Sequence, residues 1–254
     1  MSSKTFLTIS REECLVVYKN VLANSDCKWE ASERIAEAGE YGTATSLAII
    51  SVEEMVKALV LLIDGKGFQF RSVRGMDSLF YHHQIRYFIA YAMFLMGIFR
   101  DELFRFLKRH HADDNYISGL YGEWQNDQEK MLRKIKFYAF RKFIQVRREF
   151  VWFSKIDLFR QDGFYSDYED QLKNPMSISI EDYQKLYDRL KTVREVGLEI
   201  FETLNDQDEQ TAERLGELKK QFREKDYYKK ISDSLTTIRQ KRQSPFEMIK
   251  EHLE

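Results

Sequence analysis

The chain has 254 residues, enough to bury one large hydrophobic core or two modest ones. Two prolines, 11 glycines and 32% charged residues indicate an all-α protein whose helices have few interruptions. A formal net charge of -1 and a pI near 6.6 exclude a uniformly basic nucleic-acid coat, although they leave room for a local basic face.

The sequence lacks the usual patterns of metal, cofactor and membrane proteins. Cys14 and Cys27 have neither zinc-site spacing nor the density of a disulfide scaffold, and no glycine-rich phosphate loop or Ser-His-Asp set is visible. Residues 1–10 lack the apolar core of a secretory leader. The apolar run over 41–63 is long enough to cross a bilayer, but three central charges argue against that. We therefore expect a cytoplasmic protein with no cofactor, no metal and no membrane partner.

Four helices are predicted in the first two thirds of the chain. Ser10 followed by Glu13 is a capping-box pattern, and Gly39 is suited to a C-cap, so these residues delimit the first helix. A loop follows the second helix, and a turn-like segment over 112–122 follows the third. The predicted ranges are 10–38, 41–63, 81–111 and 124–160.

The last third of the chain divides into an irregular segment and further helix. Residues 161–179, which include Gly163 and Pro175, are expected to be irregular, and a fifth helix is predicted over 180–204. Beyond residue 205 the sequence becomes charged and thinly apolar. We predict a helical bundle over 1–205 and a helical C-terminal extension over 206–254, whose Ser244-Pro245 pair is typical of a helix start.

The second predicted helix carries three charges in an otherwise apolar run. A helix that is apolar around most of its circumference belongs inside a domain. Buried charges need partners, because an unpaired buried charge destabilises the fold. Glu53 and Glu54 lie four and three residues before Lys57, so either carboxylate can pair with this ammonium within the helix. The pattern predicts a buried polar group at the centre of the fold.

Three segments, in the same order along the chain, resemble the HEPN domains of the AbiV family of bacterial abortive-infection proteins. The matching segments are EAGEY (37–41) with EEMVKAL (53–59), YHHQIR (81–86), and DGFYSDY (162–168) with Asn174-Pro175. The resemblance covers roughly residues 10–205 and implies an all-α, HEPN-like helical bundle. It also implies an antiphage protein that shuts down the infected cell, and a homodimer. Apolar surface on the second and third helices beyond the needs of one core supports the dimer.

The second and third matches suggest a polar centre in the bundle. The family places a histidine and a basic residue three apart where His83 and Arg86 stand, and that spacing puts both side chains on one helix face. Tyr165 and Asp167 alternate in an extended segment, and we expect both to point toward Lys57, His83 and Arg86. With Glu54 these residues form the candidate binding centre. The alternative is a structural network that pins the loops to the helices.

Many HEPN domains are ribonucleases with an Arg-x4-6-His signature. In that chemistry the histidine exchanges a proton with a 2′-hydroxyl and the arginine stabilises the phosphorane. Arg105 and His110 match the spacing, but they end the third helix, whereas the signature normally lies on the last core helix. The fourth helix contains arginines and no histidine. A metal-independent endoribonuclease is therefore the alternative to a non-catalytic protein that binds a translation component, RNA or a phage protein.

A basic segment lies in the predicted fourth helix. Eight Lys or Arg residues and no acidic residue occur between Lys130 and Arg148, interleaved with aromatic residues. Such a segment can bind phosphates and stack bases, or contact an acidic protein; it can also be the solvated face of an amphipathic helix. The residues we assign to this RNA or acidic-partner face are Arg133, Lys134, Arg141, Lys142, Arg147 and Arg148.

Overall fold

Helices make up almost all of the described chain. The computed structural model describes residues 4–109, 144–168, 172–206, 209–224, 226–241 and 245–247. The longer helices are α1 (Arg11–Glu37), α2 (Tyr41–Ile63), α4 (His83–Arg109), α7 (Ile180–Asn205), α8 (Glu209–Glu224) and α9 (Tyr227–Lys241). Shorter ones are α3 (Asp77–Tyr81), α5 (144–154) and α6 (Ile156–Asp162). The expected all-α class is confirmed, with one two-residue antiparallel pairing of β1 (Asp167–Tyr168) and β2 (Leu172–Lys173).

Both ends of α1 form as the sequence predicts. The Ser10 side chain accepts a hydrogen bond from the Glu13 backbone, and the Glu13 carboxylate accepts one from the Ser10 backbone. This capping box satisfies two backbone donors that the helix itself leaves unpaired. After the helix, Gly39 has a φ of +86°, a left-handed conformation that glycine adopts without strain. The chain then turns directly into α2.

The central helix of the bundle is α2. Its small and aliphatic side chains between Ala44 and Leu62 are mostly buried, and it contacts α1, α4, α6 and α7. This confirms the predicted interior helix. Because α2 is buried, its side chains are not available for the dimer surface that we expected on the second and third helices. Helix α4 does expose two apolar side chains, Met96 and Phe99.

A buried polar cluster attaches α7 to α1 and α2. The Arg194 guanidinium donates to the hydroxyls of Ser25 and Ser51 at 3.0 and 3.1 Å and to the Asp26 carboxylate at 2.7 Å. It also lies over the Trp29 ring, 4.9 Å from the ring centroid. These contacts satisfy the buried guanidinium and fix the position of α7.

The segment between α2 and α4 is more ordered than the predicted loop. It contains a π-helical turn (Asp64–Phe68), a 3-10 turn (Phe70–Ser72) and α3. The buried Asp64 carboxylate accepts hydrogen bonds from the Arg71 backbone at 3.0 Å and from its guanidinium at 2.8 Å. His82 is extended, so α4 begins at His83, two residues later than expected.

The predicted fourth helix is described only in its last part, and that part is interrupted. Helix α5 ends at residue 154, Lys155 forms a turn, and α6 continues to Asp162. Beyond it, Gly163 packs so closely against Gly42 and Ser46 that a Cβ atom would collide with both. Helix α7 then begins with Ser179 as its N-cap, close to the predicted start.

The C-terminal extension packs against the bundle. The Phe222 ring contacts the Phe68 and Phe70 rings, and the Tyr228 hydroxyl donates to the Phe68 carbonyl. Phe246 is buried, with its ring against those of Phe88, Tyr91 and Phe150. The extension thus contributes apolar side chains to the same core, and a domain boundary at 205 stays a prediction.

Candidate functional site

Glu53, at the middle of α2, is the centre of a buried hydrogen-bond network. Its Oε2 atom lies 2.7 Å from His83 Nδ1 and accepts hydrogen bonds from Arg86 Nε and Nη2 at 3.1 and 2.8 Å. Its Oε1 atom accepts a hydrogen bond from the Tyr87 hydroxyl at 2.5 Å. Three side chains from one helix therefore surround a single carboxylate from another.

Helical spacing explains why these partners converge. His83, Arg86 and Tyr87 stand at positions i, i+3 and i+4 in the first turns of α4, so their side chains share the face turned toward α2. The neighbouring Glu54 lies on a different side of α2. Glu53 therefore lies opposite this face, and one helix-helix contact assembles the network.

Glu53 and Arg86 both contact the Nδ1 edge of the His83 ring. Burial raises the pKa of Glu53, but the hydrogen bond from His83 and the charge of Arg86 outweigh burial and hold this pKa at about 2. His83 Nδ1 lies 2.7 Å from this carboxylate, to which it can donate, and 2.8 Å from Arg86 Nη2, from which it can only accept. The other nitrogen, Nε2, has no partner among the described residues, and the His83 side chain is 42% exposed. The Nε2 edge of the ring is therefore the one available to a ligand.

Helix α6 completes the network from a third side. Asp157 Oδ1 lies 3.1 Å from the Tyr87 hydroxyl and accepts a hydrogen bond from Arg160 Nε at 2.9 Å. Arg160 Nε is also 3.8 Å from Glu53 Oε1. Burial, followed by the negative charge of Glu53, raises the pKa of Tyr87, so its hydroxyl keeps its proton as a donor. The network thereby connects α2, α4 and α6.

The Arg86 side chain is buried and hydrogen-bonded inside the protein. Its side chain is 3% exposed, and two of its nitrogens donate to Glu53. Its third nitrogen, Nη1, donates to the Leu79 carbonyl at 2.8 Å. With all three nitrogens bonded, Arg86 positions Glu53 and is not placed to contact a ligand.

Lys57 and Glu54 form a separate ion pair. Lys57 Nζ lies 2.7 Å from Glu54 Oε1, and their side chains are 16% and 17% exposed. Of the two pairings that the sequence allowed, the structure has the one with Glu54. No contact between this pair and His83 or Arg86 occurs in the described part of the chain, so these four residues do not form one cluster.

The expected position of Tyr165 is wrong. Its side chain is 64% exposed and packs only against the neighbouring Phe164 ring among the described aromatic residues, rather than pointing at the network. Gly163 packs against α2 directly after α6, and the residues that follow it, 164–166, are exposed. Asp167 lies in β1, and its side-chain position is outside the described residues, so its assignment to the centre stays a prediction.

The remaining candidate residues are only partly described. Arg105 lies in α4, but His110 is outside the described residues, so the pairing of Arg105 with His110 stays a prediction. On the basic face, Arg147 and Arg148 are exposed on α5. The other four members lie outside the described residues: Arg133, Lys134, Arg141 and Lys142.

Sequence reasoning missed four members of the network. Glu53 was considered as a partner of Lys57 but not as the carboxylate beneath His83. Tyr87 follows His83 by one helical turn, and this spacing could have identified it. Asp157 and Arg160 gave no usable signal, because the packing of α6 beside α4 is a long-range contact.

Metal sites and membrane-spanning helices are both absent from the described residues. No group of three or more His, Cys, Asp or Glu side chains in these residues is arranged to hold a metal ion. Among the same residues, no helix is both long and apolar enough to cross a membrane.

Comparison with known proteins agrees with the resemblance in the sequence. The family model of the AbiV HEPN domain matches residues 13–196, which span α1, α2, α4 and most of α7. No curated protein and no solved structure gives a match. The family match covers well over half of the chain and includes Glu53, His83 and Arg86. The chain therefore belongs to the AbiV family of HEPN domains.

Proposed function

We propose that this protein acts in abortive infection by binding a component of the host translation or RNA machinery, or a phage protein, in the cytoplasm. Membership of the AbiV family suggests a role in abortive infection. The proposal adds that the effect comes from occupying the target, not from cleaving it, and that the exposed edge of His83 contacts the target.

The state of Arg86 carries this proposal. Cleavage of RNA by a histidine is promoted by a nearby cation or other donor that stabilises the charge that develops on the phosphorane. Arg86 is the cation adjacent to His83, but it is buried and all its nitrogens are bonded. Arg160 donates to Asp157 and is largely buried as well. Neither guanidinium is free to bind a phosphate, which favours a binding centre over a nuclease.

Cell-free translation tests this proposal. A reporter mRNA is translated with and without the purified protein, and with and without lysate from phage-infected cells. We expect reporter synthesis to fall while ribosomal, transfer and messenger RNA remain intact on a denaturing gel. RNA fragments that appear with the loss of synthesis, and that His83→Ala eliminates, would overturn the proposal in favour of cleavage.

The Glu53–His83 hydrogen bond favours one second candidate, a metal-independent ribonuclease. With Nδ1 bonded to a carboxylate, Nε2 can remove the proton of a 2′-hydroxyl. The 2′-oxygen would then attack the adjacent phosphorus and displace the 5′-oxygen, which takes a proton from water to leave as a hydroxyl, and a 2′,3′-cyclic phosphate remains. Detection of cyclic phosphate ends on RNA treated with the wild-type protein, and not with His83→Ala, identifies this activity.

We further propose that the protein is a homodimer. Met96 and Phe99 lie one turn apart on α4 and are both about half exposed, which is typical of a surface covered by a partner. The neighbouring Gly97 packs against Thr192 and Val196 of α7, so this part of α4 is held rigidly. A rigid apolar patch of this kind supports pairing of two copies.

A further inference from the structure

Helices α5 and α6 expose a row of aliphatic side chains. Ile144, Val151 and Leu158 are seven residues apart and are 53%, 46% and 55% exposed. Seven residues are almost two helical turns, so Ile144 and Val151 share one edge of α5, and Leu158 follows on α6 beyond the turn at Lys155. Their inward-facing neighbours Phe150, Phe153 and Ile156 are buried in the core. The exposed aliphatic side chains are therefore not needed to pack the core of the bundle.

Cations border this row along its length. Arg147, Arg148 and Lys155 are exposed; at 100° per residue Arg147 and Arg148 lie on opposite sides of the Ile144–Val151 edge of α5, and Lys155 lies at the turn before α6. Arg148 is 72% exposed and contacts Glu149, whereas Arg147 and Lys155 form no ion pair with an acidic side chain in the described part of the chain. We call these six residues the 144–158 face.

We propose that the 144–158 face binds an acidic amphipathic helix of a partner protein. Aliphatic residues seven apart match the apolar stripe of such a helix, and flanking cations match acidic residues beside that stripe. Leu158 of this face is next in sequence to Asp157, a member of the polar network. This inference rests on the proposed binding function and specifies the class of partner.

Charge and shape favour this partner over two others. A second copy of the same face would bring its own three cations against these, and like charges in contact oppose association. Single-stranded RNA is bound largely by stacking of bases on aromatic rings. The Trp152 ring of α5 is not free for stacking, because the Arg189 guanidinium lies 4.7 Å from its centroid and Phe153 and Phe159 pack against it.

A peptide-binding measurement tests the inference on the full-length protein. The probe is a fluorescent 21-residue helix with leucine at heptad positions a and d and mainly glutamate elsewhere, about three heptads long. The comparison probes are a scrambled peptide of the same composition, a version with lysine in place of glutamate, and a single-stranded RNA. We expect saturable binding of the acidic helix alone, weakening as salt is raised.

Matched substitutions locate the binding surface. Val151→Glu and Arg147→Glu should each weaken binding of the acidic helix by about tenfold or more, because each places a carboxylate against the acidic probe. Val16→Glu adds the same charge at an exposed valine of α1 and should leave binding unchanged. Circular dichroism confirms that each variant is folded.

Three outcomes would overturn the inference: equal binding of the acidic and scrambled peptides, tighter binding of the RNA, or loss of binding equally in Val16→Glu. The proposed function is judged separately by cell-free translation. If Val151→Glu still stops translation without cleaving RNA, the binding function stands and the 144–158 face is not its docking surface. If the wild-type protein cleaves RNA but binds the acidic helix through this face, the 144–158 face is a docking surface and the proposed non-catalytic function is wrong.

Discussion

His83 Nδ1 lies 2.7 Å from the Oε2 atom of Glu53, a residue 30 positions earlier in the chain. The carboxylate is buried and ionised, and together with Arg86 Nη2, 2.8 Å from the same nitrogen, it holds the Nδ1 edge of the imidazole. The same carboxylate neutralises Arg86, which would otherwise be a buried unpaired cation. One side chain thus stabilises the bundle and orients the partly exposed histidine.

Glu53→Gln should make stability less dependent on acid pH. The pKa of Glu53 falls from 4.5 to about 2 on folding, so its contribution is complete above pH 4.5 and is lost as pH falls toward 2. That contribution is on the order of 3 kcal/mol. Urea unfolding at several pH values should show a steeper loss for the wild type than for Glu53→Gln in this window. If the wild type and Glu53→Gln lose stability equally as the pH falls, the lowered pKa of Glu53 is contradicted.

Arg86→Ala should lower the free energy of unfolding more than Lys57→Ala does. Removing Arg86 leaves Glu53 buried without its main ion-pair partner, which typically costs about 3–5 kcal/mol. The Glu54–Lys57 pair keeps some contact with water, with 17% and 16% of the side chains exposed, so removing Lys57 should cost less than removing Arg86. Urea unfolding at pH 7 measures both free energies. Equal losses would show that the two ion pairs are equally buried.

Phe99→Lys should convert a dimer into a monomer. The substitution places a charge in the apolar patch of α4, and sedimentation at micromolar concentration measures the result. Leu158→Lys, at an equally exposed position of α6, serves as the control and should remain dimeric. A wild-type protein that sediments as a monomer at these concentrations would exclude the dimer.

Local patterns were predictable from the sequence, and long-range partners were not. The Ser10–Glu13 capping box and the interior position of α2 follow from spacing and apolar character within one segment. The choice of Glu53 rather than Glu54 as the partner of α4 depends on the rotation of α2 against that helix. Burial of Phe246 depends on how the extension folds back. Neither the choice of Glu53 nor the burial of Phe246 follows from short-range spacing in the sequence.

The candidate site shows the same limit. His83 and Arg86 were found because they share a helix turn and a family motif. Tyr165 was misplaced because alternation in an extended segment predicts a relative direction but not which side faces the core. The exposure of Tyr165 depends on how the chain leaves α6 beside α2, which is a long-range contact.

Antiphage protection should depend on His83 and not on His110. We expect His83→Ala to lose protection in a plaque assay because it removes the exposed edge of the polar network, whereas His110→Ala should protect as the wild type does. Circular dichroism must show that both variants fold. Arg86→Ala is less informative here, because its expected instability alone would remove protection. Full protection by folded His83→Ala would make the network structural.

His83→Gln tests the binding account most directly. A glutamine amide can occupy the position of Nε2 and form hydrogen bonds, but it does not accept a proton near neutral pH. In cell-free translation, the binding account predicts that His83→Gln inhibits within about tenfold of the wild type, since one hydrogen bond contributes roughly 1 kcal/mol. Loss of inhibition by about 100-fold or more, the usual contribution of a general acid or base, together with loss of RNA cleavage, would contradict it.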